Sequence, residues 1–211
     1  MDYSQQQRQR LDYMPWLYFT LKPRLKREID AWQKDWQAEL MALETVIIEE
    51  GAYVASSARL FAEPGRTIHL ASGCAIAADT FLHGPITLGE HVSINHHACL
   101  DGGRAGITIG AHSRLAAYTS LYAFNHRMAQ DALIREQPVE SRGIRLGEDV
   151  WLGAHAGVVD GVCLGDGVVV GMGAIVTRDA PTNAILAGNP ARIIGSRADD
   201  EKNKINRKSV R

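Results

Sequence analysis

The side chain best suited to chemistry in this sequence is His126, which follows Asn125 at the start of a long polar segment. Histidine titrates near neutral pH, so its neutral ring can accept a proton from a hydroxyl group as a general base. The segment from Ala123 to Arg142 is about twenty residues long, and loops of that length in compact domains are usually functional or disordered. Within it, Glu136 or Glu140 could hold the second ring nitrogen. A histidine that only faces solvent is the alternative.

A repeat of six residues predicts the element that positions this loop. Neither a helix, which repeats its buried face at about 3.6 residues, nor a flat strand, with a period of 2, has this spacing. A short repeat of this kind predicts a parallel β-helix, in which three hexads close one triangular coil. The aliphatic residues that mark it are Ile48, Val54, Leu60, Leu70, Ile76, Leu82, Leu88, Ile94, Leu100, Ile109, Leu115, Leu121, Leu146, Leu152, Val158, Leu164, Val170 and Val176.

The phase of this repeat breaks at three places. Four extra residues follow Leu60, three follow Leu100 and nineteen follow Leu121. Each break comes after a complete set of three hexads, so the eighteen hexads predict six coils. The longest break is the segment that begins with His126.

The region before the repeat predicts a helical cap. Pro23 suits the first turn of a helix, and the apolar residues after it recur at three- and four-residue spacing. They are Leu25, Ile29, Trp32, Trp36, Leu40 and Leu43. Because the open end of a β-helix must be covered against strand association, we expect this helix to lie over the first coil. Contact with a membrane surface through residues 14–27, which carry Trp16, Tyr18 and Phe19 among basic residues, is the alternative.

Composition limits the classes of protein that fit. Of the 211 residues, 45% are hydrophobic and 22% charged, and we expect a cytoplasmic protein without a secretory signal. The three cysteines, Cys74, Cys99 and Cys163, are unclustered within the repeat, which predicts buried free thiols. Residues 1–27 carry six Lys and Arg against two Asp, and residues 195–211 carry six against three acidic residues, although the net charge of the chain is −1. Short charged ends are usually solvated, so we expect no nucleic-acid partner.

Several ordered motifs resemble the hexapeptide-repeat acyltransferases, specifically the maltose, galactoside and nodulation O-acetyltransferase group. The motifs are Asn125-His126, the sequence from Gly147 to Gly153, Gly171-Met172-Gly173, Thr177-Arg178-Asp179 and the sequence from Gly188 to Arg192. The resemblance covers about residues 88–194. It implies a left-handed parallel β-helix, which is an exception to the usual right-handed crossover, assembled as a homotrimer with acetyl-CoA sites between neighbouring coils.

The resemblance also implies roles for individual residues around the acceptor. His126 would deprotonate the acceptor hydroxyl, which attacks the thioester directly without an acyl-enzyme. Asn95 matches an asparagine that helps to bind the acceptor and the reacting carbonyl. Asp101 would contact the acceptor hydroxyls, and Asn125 would also lie in the acceptor site.

The cofactor residues implied by the resemblance lie further along the chain. Trp151 would line the pantetheine channel, and backbone groups near Ala154 and Met172 would bind the pantetheine amides. Ala154 stands where the family has a serine, so the resemblance implies only a main-chain contact with pantetheine at this position. The phosphates would be bound by Thr177, Arg178 and Arg192; Arg178 replaces the commoner lysine, and a guanidinium can bind phosphate through two hydrogen bonds.

The sequence therefore predicts an all-β repeat protein in three parts. These are a helical cap over residues 1–45, a left-handed β-helix of about six coils over 46–194 with a protruding loop at 123–142, and a polar, disordered tail at 195–211. The predicted function is transfer of an acetyl group from acetyl-CoA to a hydroxyl of a sugar or another small acceptor, with no resident metal.

Two alternatives from other classes stay open at this point. A zinc hydratase like the γ-class carbonic anhydrases would use His91 and His96, because imidazole is a natural zinc ligand; the third histidine of that class has no counterpart near Ala55. A non-catalytic β-helix scaffold would account for the repeat alone.

Overall fold

Residues 3–42 and 44–199 are described by the computed structural model, and most of them form a parallel β-helix with helices before it. The helices are α1 (Tyr3–Tyr13) and α2 (Pro23–Met41), joined by a 3₁₀ helix at Pro15–Thr20. The strands are β1 (Val46–Ile48), β2 (Tyr53–Val54), β3 (Arg59–Phe61), β4 (Ile68–Leu70), β5 (Ala75–Ile76), β6 (Phe81–His83), β7 (Ile86–Leu88), β8 (Ser93–Ile94), β9 (Cys99–Asp101), β10 (Ile107–Ile109), β11 (Arg114–Leu115), β12 (Ser120–Tyr122), β13 (Asn125–His126), β14 (Val139–Glu140), β15 (Ile144–Leu146), β16 (Trp151–Leu152), β17 (Gly157–Val159), β18 (Cys163–Leu164), β19 (Val169–Val170), β20 (Ile175–Val176), β21 (Ala184–Ala187) and β22 (Arg192–Ser196). A second 3₁₀ helix lies at Ile134–Glu136.

Three parallel sheets run along the coil, one on each side of a triangular prism. The first sheet has the order β1-β4-β7-β10-β15-β18, the second begins β2-β5-β8-β11-β16-β19, and the third contains β3, β6, β9, β12, β17 and β20. Each coil thus contributes one strand to each sheet, which confirms the six predicted coils. The second sheet continues with β21, and β22 pairs antiparallel to it.

The interior consists of the aliphatic residues that define the repeat. All eighteen are buried, from Ile48 at 8% exposed to Leu100 at 0%. Strands pair in register, so identical positions of successive coils stack; Leu70, for example, pairs with both Ile48 and Leu88. Since burial of one Leu, Ile or Val side chain contributes roughly 1.5–3 kcal/mol, this column supplies most of the stability of the coil.

Several corners of the coil place residues other than glycine in the left-handed backbone region. His97, Tyr118 and His155 have φ values of 58°, 61° and 58°. Their rings stack along the edge between the second and third sheets, with centroids 4.9 Å and 4.8 Å apart. Two histidines, His97 and His155, are therefore corner residues whose rings contact the ring of an adjacent coil.

Helix α2 covers the open edge of the first coil through a side-chain amide. Gln33 is buried, its Nε2 donates to the carbonyl of Val54 and its Oε1 accepts the Val54 N–H, both at 2.9 Å. These are the hydrogen bonds that another strand would make, so the amide replaces a strand at the edge of the second sheet. Of the predicted apolar stripe, Leu43 lies outside the described residues.

Helix α1 is fastened to the same coil by Asp12, which sequence reasoning did not single out. The carboxylate of Asp12 accepts hydrogen bonds from the Tyr53 hydroxyl at 2.7 Å and the Ser56 hydroxyl at 2.6 Å. Burial, and then the nearby Asp12 carboxylate, raises the pKa of Tyr53, so its hydroxyl stays a donor. No helix within residues 3–42 and 44–199 is long and apolar enough to cross a membrane.

Two sequence predictions need correction here. Cys74 is buried as expected, but Cys99 and Cys163 are only partly buried because they occupy outward positions of β9 and β18. The repeat domain also extends past residue 194, since β22 ends at Ser196 and Arg197 donates to Asp149 at 2.7 Å. The rest of the predicted tail, residues 200–211, lies outside the described residues.

Candidate active site

The predicted long loop is a hairpin that is closed at its base. Strand β13 pairs antiparallel with β14, placing Asn125 opposite Glu140 and His126 opposite Val139. At the base, the Ser141 hydroxyl donates to the carbonyl of Ala123 and accepts the N–H groups of Arg104 and Ala105 at 3.0 Å and 2.9 Å. His126 therefore lies on an ordered element that is fixed to the coil.

The far part of the hairpin is held by Gln137. Its side-chain amide accepts the Ala129 N–H and donates to the carbonyls of Ala129 and Ala132, each at 2.8 Å. These bonds order a tip whose apolar side chains are exposed: Met128, Leu133, Ile134 and Val139. An ordered, exposed apolar tip is typical of a surface that contacts another molecule.

The ring of His126 is exposed and available for proton transfer. The ring of Phe124 lies beside it, with centroids 6.3 Å apart, and within residues 3–42 and 44–199 no hydrogen bond or ion pair holds either ring nitrogen of His126. Glu140 projects from the opposite side of the hairpin because facing residues of an antiparallel pair share a side and successive residues alternate. Glu136 forms its ion pair with Arg135, at 3.9 Å. Neither carboxylate orients His126 in this chain.

Asp101, the predicted acceptor contact, lies at the base of the same hairpin. It ends β9, and its carbonyl accepts the N–H of Ala123, the first residue of the loop. Its side-chain Oδ1 accepts the Gly103 N–H at 3.0 Å. Gly103 has φ +54°, and a Cβ there would lie 2.5 Å from the Ala123 carbonyl oxygen, so this turn requires glycine.

Tyr122 lies beside Asp101 on the third sheet and supplies a neutral hydroxyl. The two residues pair across β12 and β9, and the Tyr122 hydroxyl is 3.3 Å from the Cys99 sulfur. The hydrogen bond with Cys99, followed by burial and the charges of Cys99 and Asp101, raises the pKa of Tyr122 to about 12. Tyr122 is therefore a hydrogen-bond donor at neutral pH and not a base.

A groove of about 490 Å³ lies on a different face, along the second sheet. The predicted residues Asn95 and Trp151 both line it, and Trp151 is half exposed. Trp16 and Phe19 of the first 3₁₀ helix form the opposite wall and are also about half exposed. The floor is made of small residues, Ala75, Ser93 and Ala116. A concave groove lined mainly by apolar side chains, with a few polar groups such as Asn95, His91 and Arg114, is typical of a small-molecule site.

The predicted pantetheine residues lie where the fifth and sixth coils meet. Gly153 follows Trp151 and Leu152, and a Cβ on it would come 2.7 Å from the Met172 nitrogen, so only glycine allows this approach. The Ala154 carbonyl accepts the Gly173 N–H at 2.9 Å. Met172 is 79% exposed at the adjoining corner. Trp151, Ala154 and Met172 thus form one continuous strip that begins in the groove.

The predicted phosphate residues lie at the carboxyl-terminal end of the coil. Thr177 and Arg178 follow β20 and are exposed. The loop from Gly188 to Ala191 forms two backbone hydrogen bonds with Ile175. The Ile175 N–H donates to the carbonyl of Gly188, and the Ile175 carbonyl accepts the N–H of Ala191. Arg192, which follows this loop, is therefore held beside the first residue of β20. In the described part of the chain, neither Arg178 nor Arg192 forms an ion pair.

Five of the predicted site residues thus lie on two separate surfaces. Asn95 and Trp151 lie in the groove on the second sheet, which we call the groove surface. Asp101, Asn125 and His126 lie on the third sheet and its hairpin, which we call the hairpin surface. Within the described residues no hydrogen bond joins the two groups.

The two histidines of the zinc alternative are not brought together. His91 occupies the corner before β8 and stacks on His112, with centroids 5.4 Å apart. His96 follows β8 and packs edge-on against Tyr13 and Tyr118. Among residues 3–42 and 44–199, no three His, Cys, Asp or Glu side chains are placed to hold a metal ion.

Comparison with known proteins identifies the repeat. Residues 143–178 match the family described as hexapeptide repeat of succinyl-transferase. The putative lipopolysaccharide biosynthesis O-acetyl transferase WbbJ of Escherichia coli is 31% identical over 134 residues, which are 58% of this chain and 66% of that protein. Over this repeat the chain is similar to the hexapeptide-repeat acyltransferases.

Further relatives of this hexapeptide-repeat chain differ in their acceptors. The galactoside O-acetyltransferase of Escherichia coli is 35% identical over 96 residues, 46% of this chain and 47% of that enzyme. A mutant of the N-acyltransferase AntD of Bacillus cereus, solved with dTDP and coenzyme A, superposes on this chain with a TM-score of 0.69 at 25% sequence identity. The superposition covers 82% of this chain and 96% of the AntD chain. The matches span only about half to two thirds of the length of these curated relatives.

Sequence reasoning missed several residues of both surfaces. Trp16 and Phe19 were assigned to a cap or a membrane contact, and Arg114 was not considered, although it lines the groove beside Trp151. His83 was not singled out either. The sequence does contain a signal for its contact with Asp101. His83 precedes Asp101 by eighteen residues, which is three hexads or one whole coil, so the two residues occupy equivalent positions in successive coils.

Proposed function

We propose that this chain transfers an acetyl group from acetyl-CoA to a hydroxyl group of a sugar or another small acceptor. The observation that carries the proposal is the groove with Trp151 in its wall, beside which Ala154 and Met172 lie in adjoining coils, with Arg178 and Arg192 at the carboxyl-terminal end of the coil. The apolar part of this arrangement suits pantetheine and its cationic end suits phosphates. The solved relative AntD contains coenzyme A, which supports an acyl-CoA donor.

In the proposed reaction, His126 acts as the general base. Its neutral ring takes the proton of the acceptor hydroxyl while the oxygen attacks the thioester carbonyl carbon. The carbon–sulfur bond then breaks, coenzyme A leaves as a thiolate, and the proton held by His126 can return to the sulfur. Asn95 can donate its amide N–H to the carbonyl oxygen as it gains charge. Asp101 accepts hydrogen bonds from the acceptor hydroxyls, with Asn125 beside them.

We further propose that the complete site needs two copies of the chain. The groove surface and the hairpin surface lie on different faces of the prism, so one chain does not bring Asn95 and His126 to the same thioester. In a closed ring of three, the second sheet of each copy faces the third sheet of the next. The ordered apolar tip of the hairpin, with Met128 and Ile134 exposed, suits such a contact.

Release of coenzyme A from acetyl-CoA, measured with a panel of acceptors, tests this function. The panel should contain neutral sugars, sugars with anionic groups, and amino sugars, because AntD is an N-acyltransferase. We expect release that depends on a hydroxyl acceptor. Transfer only to amines would overturn O-acetylation, and no release with any acceptor would reject the enzyme assignment. Contact of residues 14–27 with a membrane and a cytoplasmic location stay predictions.

A further inference from the structure

A line of alternating charges crosses the first three coils and ends at Asp101. Arg66 and Glu63 lie in the four-residue break after β3, and their side chains are 2.9 Å apart. Oε2 of Glu63 is 3.1 Å from Nε2 of His83, and the other ring nitrogen of His83, Nδ1, is 3.1 Å from Oδ2 of Asp101. The break after β3 thus supplies Arg66 and Glu63, the two residues that begin this line.

The chemistry of these contacts determines which hydrogens the His83 ring needs. Carboxylate oxygens only accept hydrogen bonds, so a ring nitrogen can donate to either carboxylate only while it carries a hydrogen, and to serve both contacts at once the ring needs both N–H groups. The His83 and Asp101 side chains are only 20% and 18% exposed. Phe61 and Phe81 flank the ring, with centroids 5.3 Å and 6.3 Å away. With both nitrogens occupied, His83 cannot act as a second general base.

The contacts also fix the Asp101 carboxylate at both oxygens. Oδ2 lies 3.1 Å from Nδ1 of His83, and Oδ1 accepts a hydrogen bond from the Gly103 N–H. Each oxygen has further capacity to accept, which leaves the outer side of the carboxylate for hydroxyl donors. An unfixed aspartate would have to lose rotamer freedom each time it bound an acceptor.

We propose that His83, held as a cation by Glu63, is the residue that positions Asp101 to accept hydrogen bonds from a polyhydroxyl acceptor. The proposal rests on the proposed function, since Asp101 contacts the acceptor only in that reaction. His83 is a positioning residue because it reaches the acceptor through Asp101.

The other titratable groups around this line are compatible with a charged His83. Arg66 lies behind Glu63, and Tyr122 and Cys99 lie beside Asp101. The pKa of Glu63 is lowered by a backbone hydrogen bond within its own residue, then by the hydrogen bond from His83 and the charges of Arg66 and His83, against burial. Glu63 is thus an anion wherever His83 is a cation.

Two substitutions of His83 separate its two contacts. The amide nitrogen of His83→Asn lies near the position of Nδ1 and can still donate to Asp101, whereas that of His83→Gln lies near Nε2 and can donate only to Glu63. We expect His83→Gln to raise the KM for the acceptor roughly tenfold, because a hydrogen bond to a charged group is lost. His83→Asn should stay within about threefold of the wild type, and the KM for acetyl-CoA should change in neither.

His69 offers a matched control on the first sheet. Its Nε2 contacts Oε1 of Glu49 at 2.9 Å in the same coil-to-coil arrangement, but no described contact links it to Asp101. His69→Gln should leave the acceptor KM unchanged. An acceptor KM for His83→Gln equal to that of His69→Gln would overturn the positioning role.

A measurement without substrate separates this proposal from the proposed function. In protein labelled with ¹⁵N-histidine, we expect His83 to show two protonated ring nitrogens at neutral pH, with its signals assigned by their absence in His83→Gln. Glu63→Gln should shift these signals, and His69→Gln should not. A singly protonated His83 in the wild type would overturn the proposal. If the chain transferred no acetyl group, the NMR result would still decide the link from Glu63 to Asp101.

Discussion

The groove surface and the hairpin surface are built on the same repeat but have opposite chemical character. The groove has a floor of small side chains and aromatic walls, formed by Trp16, Phe19 and Trp151. The hairpin surface is a network of hydrogen bonds and charges that includes His83, Asp101 and Ser141. One surface offers space to a ligand, and the other offers fixed polar groups.

This difference shows what the repeat constrains and what it leaves free. The inward residue of each hexad is aliphatic on all three sheets because the interior excludes water. The outward residues lie at equivalent positions on a rigid frame and carry no packing requirement of that kind. A groove and a charged network can therefore occur on adjacent faces of one coil without a change of fold.

The largest expected effect is at the hairpin surface. His126→Ala should lower the rate of acetyl transfer by about 10²–10⁴-fold, as loss of a general base does. Because His126 lies away from the strip of Trp151 and Met172, binding of coenzyme A should change little, which calorimetry can check. Arg127→Ala, the exposed neighbour on the same hairpin, is the matched control. Near-normal turnover in His126→Ala would contradict the assignment.

A smaller effect is expected at the carboxyl-terminal end of the coil, where Arg178 and Arg192 lie. Loss of a charge-assisted hydrogen bond of roughly 1.5–3 kcal/mol should raise the KM for acetyl-CoA about 10- to 100-fold in Arg178→Ala or Arg192→Ala. The acceptor KM should stay nearly constant, in contrast to His83→Gln.

Acetyl-dephospho-CoA sharpens the test of these arginines. If one of them binds the 3′-phosphate, its alanine variant should lose the preference for acetyl-CoA over the dephospho compound. An unchanged preference in both variants would show that other residues bind that phosphate. Arg145→Ala, on the outward side of the first sheet, removes an exposed cation elsewhere on the coil and should change neither KM.

The smallest expected effect tests whether the two surfaces meet between copies. His126→Ala and Asn95→Ala should each be impaired alone. In a mixed ring assembled from equal amounts, about one quarter of the sites would combine an intact His126 from one copy with an intact Asn95 from the next. Activity should therefore recover to about one quarter of the wild type, as co-expression and an activity assay can measure. No recovery in verified mixed rings, or an active monomer in light scattering, would contradict the two-copy site.

The sequence by itself determined the frame of this protein. The six-residue period identified eighteen inward residues, all of them buried, and the breaks identified the base of the hairpin that carries His126. This was possible because each hexad must bury an aliphatic residue locally, whatever lies elsewhere in the chain. The repeat also predicted that the motifs around Trp151 and Met172 lie in neighbouring coils, because the number of hexads between them is known.

Only the tertiary structure decided which outward residues become neighbours. The contact of His83 with Glu63 depends on the path of the four-residue break, and the packing of Trp16 opposite Trp151 depends on where α1 and α2 lie. The period does not specify either, because insertions and caps follow no repeat. The position of His126 relative to Asn95 was also not given by the sequence, since the path of the hairpin after β12 follows no repeat.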